Sequence, residues 1–268
     1  MTDPEKIRRK FKELYKEEPL LFRSPGRVNL IGEHTDYNEG FVLPAAIDKD
    51  ILFGITPRND NKVSIFSIDF DEEVNLEINK IQKSKRAWAN YLLGVIDQLN
   101  KNGKKIKGFN CVFGGDIPIG SGLSSSAAIE AGLTFALNHI YDLKIDKQEI
   151  VKLAQRSENE FVGVKCGIMD QFINIFGKEN NVLKLDCRSL GFEFYPFNSE
   201  EYKIVLFDTH VKHSLASTEY NLRRRQCEEG VKILQHHYSE IKSLRDAKKN
   251  QLFEHQDEFQ PQSQHPDI

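Results

Sequence analysis

The chain has 268 residues, of which 39% are hydrophobic and 29% are charged. This balance is typical of a globular protein and excludes a wholly disordered chain. A formal net charge of −3 also excludes the strongly basic surface that draws a protein to nucleic acid or to an anionic membrane, so any phosphate must be bound by local donors.

The cysteines and the apolar runs exclude further classes of protein. Four cysteines are widely spaced and form no CxxC pair, so we expect neither a zinc site nor a disulfide framework. The first ten residues are charged and lack the apolar core of a signal peptide. The longest apolar runs, such as Phe41–Ile47, are too short to span a membrane. We therefore expect a cytoplasmic protein with no nucleic-acid or membrane partner.

Hydrophobic periodicity predicts short strands in the first third of the chain and interleaved helices later. The predicted strands are Leu20–Arg23, Arg27–Ile31, Gly40–Ile47, Asp50–Thr56, Val63–Ser67, Lys107–Phe113, Val182–Asp186, Phe192–Pro196 and Ile204–Asp208. The predicted helices are Pro4–Glu17, Trp88–Leu99, Leu123–Tyr141, Asp146–Phe161 and Ala216–His237. This order predicts an α+β fold. Residues 250–268 are polar and should form a frayed tail.

A glycine-rich loop, PIGSGLSSSAA, precedes the third predicted helix. Gly120 and Gly122 allow close backbone approach to a ligand and positive φ angles. Ser124, Ser125 and Ser126 lie where a helix begins, and a helix N-terminus favours an anion. The loop is not a Walker A motif, because no Lys-Ser/Thr follows the glycines. It therefore predicts phosphate binding, and the alternative is a serine-rich N-cap.

A second polar segment surrounds the strand that begins at Arg27. Glu33, His34 and Asp36 follow Gly32 in what reads as a tight turn. Carboxylates beside an imidazole can accept hydrogen bonds from several sugar hydroxyls and donate to others. The alternative is the solvated end of a hairpin.

Two acidic residues lie in apolar surroundings. Asp170 would be either desolvated with a raised pKa or paired with a cation, for which Arg27 is the candidate; the other possible role is a cap on a helix that begins near Gln171. Glu158 lies on the apolar face of its predicted helix, where it would either bind Mg²⁺ or form a salt bridge. His236 and His237 have no third ligand at metal spacing and are expected at the surface.

Three blocks together resemble the galactokinases of the GHMP kinase superfamily: Gly26–Tyr37, Pro118–Ala127 and Gly167–Gln171. The first block is specific to galactokinases, whereas the second is shared more widely in the superfamily. The resemblance implies a GHMP kinase fold, with an N-terminal domain like ribosomal protein S5 domain 2 and an α/β domain after it. We expect the boundary at residue 200, giving domains 1–200 and 201–268, with a disordered tail in the second.

The resemblance also implies a role for each matching residue. The sugar ligands would be Glu33, His34, Thr35, Asp36 and Tyr220. The nucleotide phosphates would be bound by Gly120, Ser121, Gly122, Leu123, Ser124, Ser125 and Ser126. The Mg²⁺ ligands would be Ser126 and Glu158. Asp170 would be the catalytic base for the anomeric hydroxyl of galactose, with Arg27 beside it and ATP as the phosphoryl donor.

The sequence departs from the galactokinase pattern at the C-terminus. Galactokinases continue further and carry a third glycine-rich motif, which has no match here. We therefore expect a truncated product with poor stability and little activity, and a monomer if the domain is complete. The alternative functions are a kinase for N-acetylgalactosamine and a non-catalytic regulator that binds galactose and ATP.

Overall fold

The computed structural model describes residues 2–198, 200–207 and 216–259, with the backbone alone for 216–219. The strands are β1 (Leu20–Asn29), β2 (Phe41–Val42), β3 (Pro44–Pro57), β4 (Lys62–Ser67), β5 (Glu72–Glu77), β6 (Phe109–Gly115), β7 (Asn181–Asp186) and β8 (Phe192–Pro196). The α-helices are α1 (Pro4–Tyr15), α2 (Ala87–Lys101), α3 (Ser125–Ile140), α4 (Lys147–Arg156), α5 (Met169–Phe176), α6 (Ala216–His237) and α7 (Lys249–Glu254). A π-helical turn, Ser157–Val162, continues α4.

The larger sheet has five strands in the order β1-β3-β6-β4-β5. Its pairs are antiparallel except for β4 and β6, which run parallel. Side chains alternate between its two faces, so Phe53 of β3 packs toward α2 and α3 while Leu52 packs toward α1. The sheet is therefore covered by helices on both faces.

The smaller sheet has three antiparallel strands in the order β2-β7-β8. Leu183 and Leu185 of β7 pack against Phe172 and Ile173 of α5, and all four side chains are buried. This packing anchors α5 from its apolar side, so that the start of the helix can present a polar residue toward the larger sheet.

Most of the predicted elements are confirmed, and the fold is α+β. The two strands predicted around Pro25 form one strand, β1, with a register shift between Pro25 and Arg27. The end of the helix predicted over Asp146–Phe161 is the π-helical turn. Strand β5 and helix α7 were not predicted from the sequence. None of the described helices is both long enough and apolar enough to cross a membrane.

Two predictions near the C-terminus are wrong. Residues 204–207 form no strand, because no described strand pairs with them, and Phe207 is 88% exposed; residue 208 lies outside the described residues. The polar tail is helical at Lys249–Glu254, because the side chain of Gln251 caps the helix start and Tyr238 donates a hydrogen bond to Glu254. Residues 260–268 lie outside the described residues, and the domain boundary at 200 stays a prediction.

Candidate active site

The centre of the site is an ion pair between Arg27 on β1 and Asp170 in the first turn of α5. Arg27 Nε donates to Asp170 Oδ1 at 2.6 Å and Arg27 Nη2 donates to Oδ2 at 2.7 Å. Burial lowers the pKa of Arg27, but the charge of Asp170, its hydrogen bond and the charges of Glu33 and Asp36 together outweigh that effect, so the pKa is raised overall. The predicted pairing is confirmed, and Asp170 is not the N-cap residue of α5, which is Ile168.

The glycine-rich loop supplies a third contact to the same carboxylate. Ser124 adopts a left-handed conformation with φ of 62°, and its hydroxyl donates to Asp170 Oδ2 at 2.5 Å. Ser124 stands at the N-cap position of α3 but makes no side-chain capping hydrogen bond. The alternative of a simple serine cap is therefore wrong for Ser124.

The loop is held against β1 by the backbone. The Arg27 N–H donates to the Leu123 carbonyl at 3.2 Å, and the Arg27 side chain donates to the Gly122 carbonyl. Gly120 and Gly122 have φ of 75° and 74°, which explains glycine at both positions. Ser121 donates to the Pro118 carbonyl at 2.7 Å.

Ser125 and Ser126 form the first turn of α3, where backbone N–H groups have no partner within the helix. These groups, together with the helix dipole, make the end of the loop a place where an anion is stabilised. The structure therefore brings the start of α3, with its free backbone N–H groups, and the Arg27–Asp170 pair to one place.

The polar segment after β1 forms a compact turn around the predicted sugar ligands. Asn29 donates to Glu33 Oε1 at 2.8 Å. His34 has φ of 60°, and its Nδ1 lies 2.6 Å from the Tyr37 hydroxyl. The Thr35 hydroxyl lies 2.7 Å from the carbonyls of both Gly32 and Phe41, so it holds the turn itself. Its role as a sugar ligand stays a prediction.

Asp36 connects this turn to the start of α5. Its carboxylate accepts from the backbone N–H of Tyr37 at 2.9 Å and also from that of Met169. A Cβ atom on Gly167 would lie 2.0 Å from Asp36 Oδ2, so only glycine fits there. Burial, and then the neighbouring charge of Asp170, raises the pKa of Asp36 to about 6.

Tyr220, on α6, closes the site from the other side. Its ring lies 5.7 Å from that of His34 and 5.4 Å from that of Tyr37, centroid to centroid. Burial raises the pKa of Tyr220, and the charges of Asp36 and Asp170 raise it further, so the hydroxyl stays a donor. The structure thus brings all the predicted sugar and base residues together.

Glu158 lies in the π-helical turn and is only 6% exposed, which confirms that it faces the packed side. Its Oε2 accepts from Gln171 Nε2 at 2.9 Å and from the Cys166 thiol at 3.4 Å. Burial and then the charge of Asp170 raise its pKa, whereas a hydrogen bond from Ser126 lowers it. No Arg or Lys forms a salt bridge with Glu158 among the described residues.

Glu130, which was not predicted as a site residue, lies beside Glu158. It is fully buried in α3, and burial, reinforced by the charge of Glu158, raises its pKa well above the usual range. Glu130 follows Ser126 by four residues and so shares a helix face with it. That spacing is the pattern that could have identified Glu130.

Two family models match parts of the chain that contain these residues. Residues 90–178 match the family model of the GHMP kinases N terminal domain. Residues 9–57 match the galactokinase galactose-binding signature. The first match includes the glycine-rich loop, Glu158 and Asp170, and the second includes Arg27 and the turn that follows it.

Curated relatives match over most of the chain. A galactokinase of Thermotoga neapolitana is 40% identical over 246 residues, which are 92% of this chain and 67% of the relative. The chain belongs to the galactokinase family. Another member, from Roseiflexus sp. (strain RS-1), is 42% identical over 97% of this chain and 66% of its own length. A Clostridium acetobutylicum galactokinase is 47% identical over 84% of this chain and 59% of its own length.

Solved structures agree with this membership. The structure of Lactococcus lactis galactokinase complexed with galactose superposes with a TM-score of 0.89 at 35% identity, covering 95% of this chain and 67% of that one. Methanococcus jannaschii mevalonate kinase, at a TM-score of 0.57 and 20% identity, shares the fold alone. The chain thus spans 59% to 67% of the length of these family members.

Proposed function

We propose that the protein transfers the γ-phosphate of ATP to the anomeric hydroxyl of D-galactose, giving galactose 1-phosphate and ADP. The observation that carries this proposal is the convergence of three groups on one carboxylate. The Asp170 carboxylate accepts two hydrogen bonds from Arg27 and one from Ser124, next to the start of α3. Such a carboxylate is oriented for proton transfer beside a site for phosphate.

In the proposed reaction Asp170 takes the proton of the anomeric hydroxyl. The hydroxyl oxygen then forms a bond to the γ-phosphorus, and the bond from that phosphorus to the β–γ bridging oxygen breaks, releasing ADP. Arg27 is positioned to offset negative charge that develops as the reaction proceeds. Most of the catalysis would come from positioning and charge stabilisation, as is usual for phosphoryl transfer.

The nucleotide phosphates would lie on the loop from Gly120 to Ser126. The loop is open to a ligand at Gly120 and Gly122, because a Cβ atom built at either position would meet no atom within 4 Å. Both glycines also have positive φ angles. The first-turn N–H groups of α3 would donate to phosphate oxygens. This arrangement supports ATP as the donor.

Ser126 and Glu158 would hold a Mg²⁺ ion. They fit, because the Ser126 hydroxyl hydrogen-bonds the buried Glu158 carboxylate, and hydroxyl and carboxylate oxygens are the hard ligands that Mg²⁺ prefers. When bound, Mg²⁺ neutralises charge on the phosphate oxygens. Gln171 keeps the Glu158 carboxylate oriented by its 2.9 Å hydrogen bond.

Galactose would be bound by Glu33, His34, Asp36 and Tyr220. The carboxylates accept from sugar hydroxyls and the Tyr220 hydroxyl donates, so the set offers both kinds of partner. The match to a galactose-binding signature and the galactose complex of the Lactococcus lactis relative support this choice of sugar.

The test is a coupled assay of ADP release with galactose, glucose and N-acetylgalactosamine in parallel. We expect turnover with galactose and none with glucose. Faster turnover with N-acetylgalactosamine would replace the proposed substrate. Galactose and ATP binding without ADP release, measured by calorimetry, would identify a regulator instead.

We also propose a location and an oligomeric state for the protein. The four cysteines are all unpaired, which supports a reducing cytoplasm. We also propose a monomer, which sedimentation analysis of the purified protein would check.

A further inference from the structure

A cluster of metal-binding side chains lies outside the proposed active site. It consists of His237 at the end of α6, His255 directly after α7, and Glu258 in the 3₁₀ turn Gln256–Glu258. His237 Nε2 lies 2.8 Å from Glu258 Oε1, and His255 Nδ1 lies 3.0 Å from the same oxygen. His236 and His237 are exposed, as expected. The sequence spacing did not indicate that folding brings His255 and Glu258 beside His237.

The donor set is that of a zinc site. Zn²⁺ binds imidazole nitrogen and carboxylate oxygen at about 2.0–2.2 Å in tetrahedral geometry, and sites with two histidines and one glutamate keep water as a fourth ligand. Tetrahedral ligands at those lengths lie about 3.4 Å apart. The three ligand atoms here all lie within 4.8 Å of one another. Because the lone pairs lie in the planes of the rings, a ring must turn out of the near-parallel arrangement for both nitrogens to bind one ion.

Both histidines place a ring nitrogen beside the same oxygen of Glu258. The two imidazole rings are stacked, with centroids 3.6 Å apart and planes 12° from parallel. Each neutral imidazole can either donate from the nitrogen that faces Glu258 or, in its other tautomer, present a lone pair there to a metal ion. A divalent cation accepts a lone pair from each neutral ring and keeps the attraction to the carboxylate.

We propose that His237, His255 and Glu258 form a zinc-binding site that fastens the end of α6 to the segment after α7. The site is separate from the proposed active site, because His237 lies 17 residues along α6 from Tyr220, about 25 Å at 1.5 Å per residue. It does not depend on the proposed kinase activity. Its chemical partner is a free divalent zinc ion.

Calorimetric titration of ZnCl2 into the full chain, stripped of metal with a chelator and dialysed, tests the site. We expect one Zn²⁺ per chain in the wild type, and at least about a tenfold weaker affinity in His237→Ala and in Glu258→Gln. The matched control is His236→Ala, which removes the adjacent histidine outside the cluster and should bind zinc like the wild type. All variants keep the four cysteines, so a thiol site would not produce this difference.

Folding of each variant is checked by circular dichroism. Because Glu258→Gln preserves the size of the side chain, it still tests the zinc site if His237→Ala does not fold. Zinc should also raise the melting temperature of the wild type and of His236→Ala, but not that of Glu258→Gln. The proposal is overturned if the wild type binds no zinc at about 0.1 mM, or if all the variants bind it with equal affinity.

Discussion

The two ends of the described chain are stabilised differently. The N-terminal region, around the five-stranded sheet, buries large side chains completely, among them Phe53 and Phe109, and the Arg27–Asp170 pair lies at the edge of this core. Among the described residues after 200, the buried large apolar side chains are Leu234 and Ile241. Packing can therefore hold charged groups in fixed positions in the first region, whereas the second depends on polar contacts.

The largest expected effect concerns the ion pair. Asp170→Asn removes the proposed base while it keeps the shape of the side chain, so turnover should fall by about 10² to 10⁴. Galactose affinity should change little, because the sugar ligands lie on other elements. ADP release and galactose calorimetry measure the two quantities. Wild-type turnover in this variant would contradict the assignment of the base.

The next effect concerns pH and Asp36. Its pKa is about 6 in the folded protein against an ordinary value of 3.8, so the folded state holds a proton that the unfolded state releases between those values. The free energy of unfolding should therefore fall as pH rises through this window, by up to about 3 kcal/mol, and no further above it.

The matched variant is Asp36→Asn, which cannot titrate. Urea denaturation at intervals from pH 4 to pH 7 should show the stability of the wild type declining relative to the variant, mostly below pH 6. A constant difference between the two proteins would contradict the raised pKa.

A pair of glycine substitutions compares the packing of the two regions. Gly167→Ala places a Cβ atom 2.0 Å from Asp36 Oδ2 and should cost about 1–3 kcal/mol of stability, with weaker galactose binding. Gly230→Ala in α6 places its Cβ 3.5 Å from the Phe259 ring, an ordinary contact, and should stabilise by about 0.5–1 kcal/mol. Denaturation midpoints that move equally would contradict the comparison.

The smallest effect is expected in the C-terminal region. Arg245 donates to Asp186 and to the Glu39 carbonyl, and lies 4.3 Å from the centre of the Phe41 ring. Arg245→Ala should lower the melting temperature slightly, and less at high salt, since exposed ion pairs are screened.

The stability that the Arg245–Asp186 ion pair contributes should depend on pH. The hydrogen bond from Arg245 lowers the pKa of Asp186, so its stabilising contribution is present above the ordinary pKa of 3.8 and is lost as pH falls further. The difference between Arg245→Ala and the wild type should therefore shrink in acid. A melting-temperature difference that is independent of salt and pH would contradict the ion pair.

The local pattern of apolar and polar residues predicted much of the fold and the site, because the periodicity of a helix or a strand is visible in residues that are close together in the sequence. The helix over Ala216–His237 has the predicted bounds, and the buried position of Glu158 follows from its spacing to apolar residues. The strand predicted at 204–208 failed because a strand needs a partner, and pairing is decided by distant residues. Ser124 was placed correctly in the loop, but its contact to Asp170 could not be read from its neighbours.

The sequence by itself determined most of the helices and strands, the glycine-rich loop before α3 and the kinds of residue near it. It also determined membership of a kinase family, because the matching blocks are continuous in the chain. Only the tertiary structure decided which side chains meet. Arg27 and Asp170 are 143 residues apart in the sequence, and His237 lies beside His255 and Glu258, which follow it after α7. The physical reason is that such contacts depend on how packed elements are oriented, which local propensity does not specify.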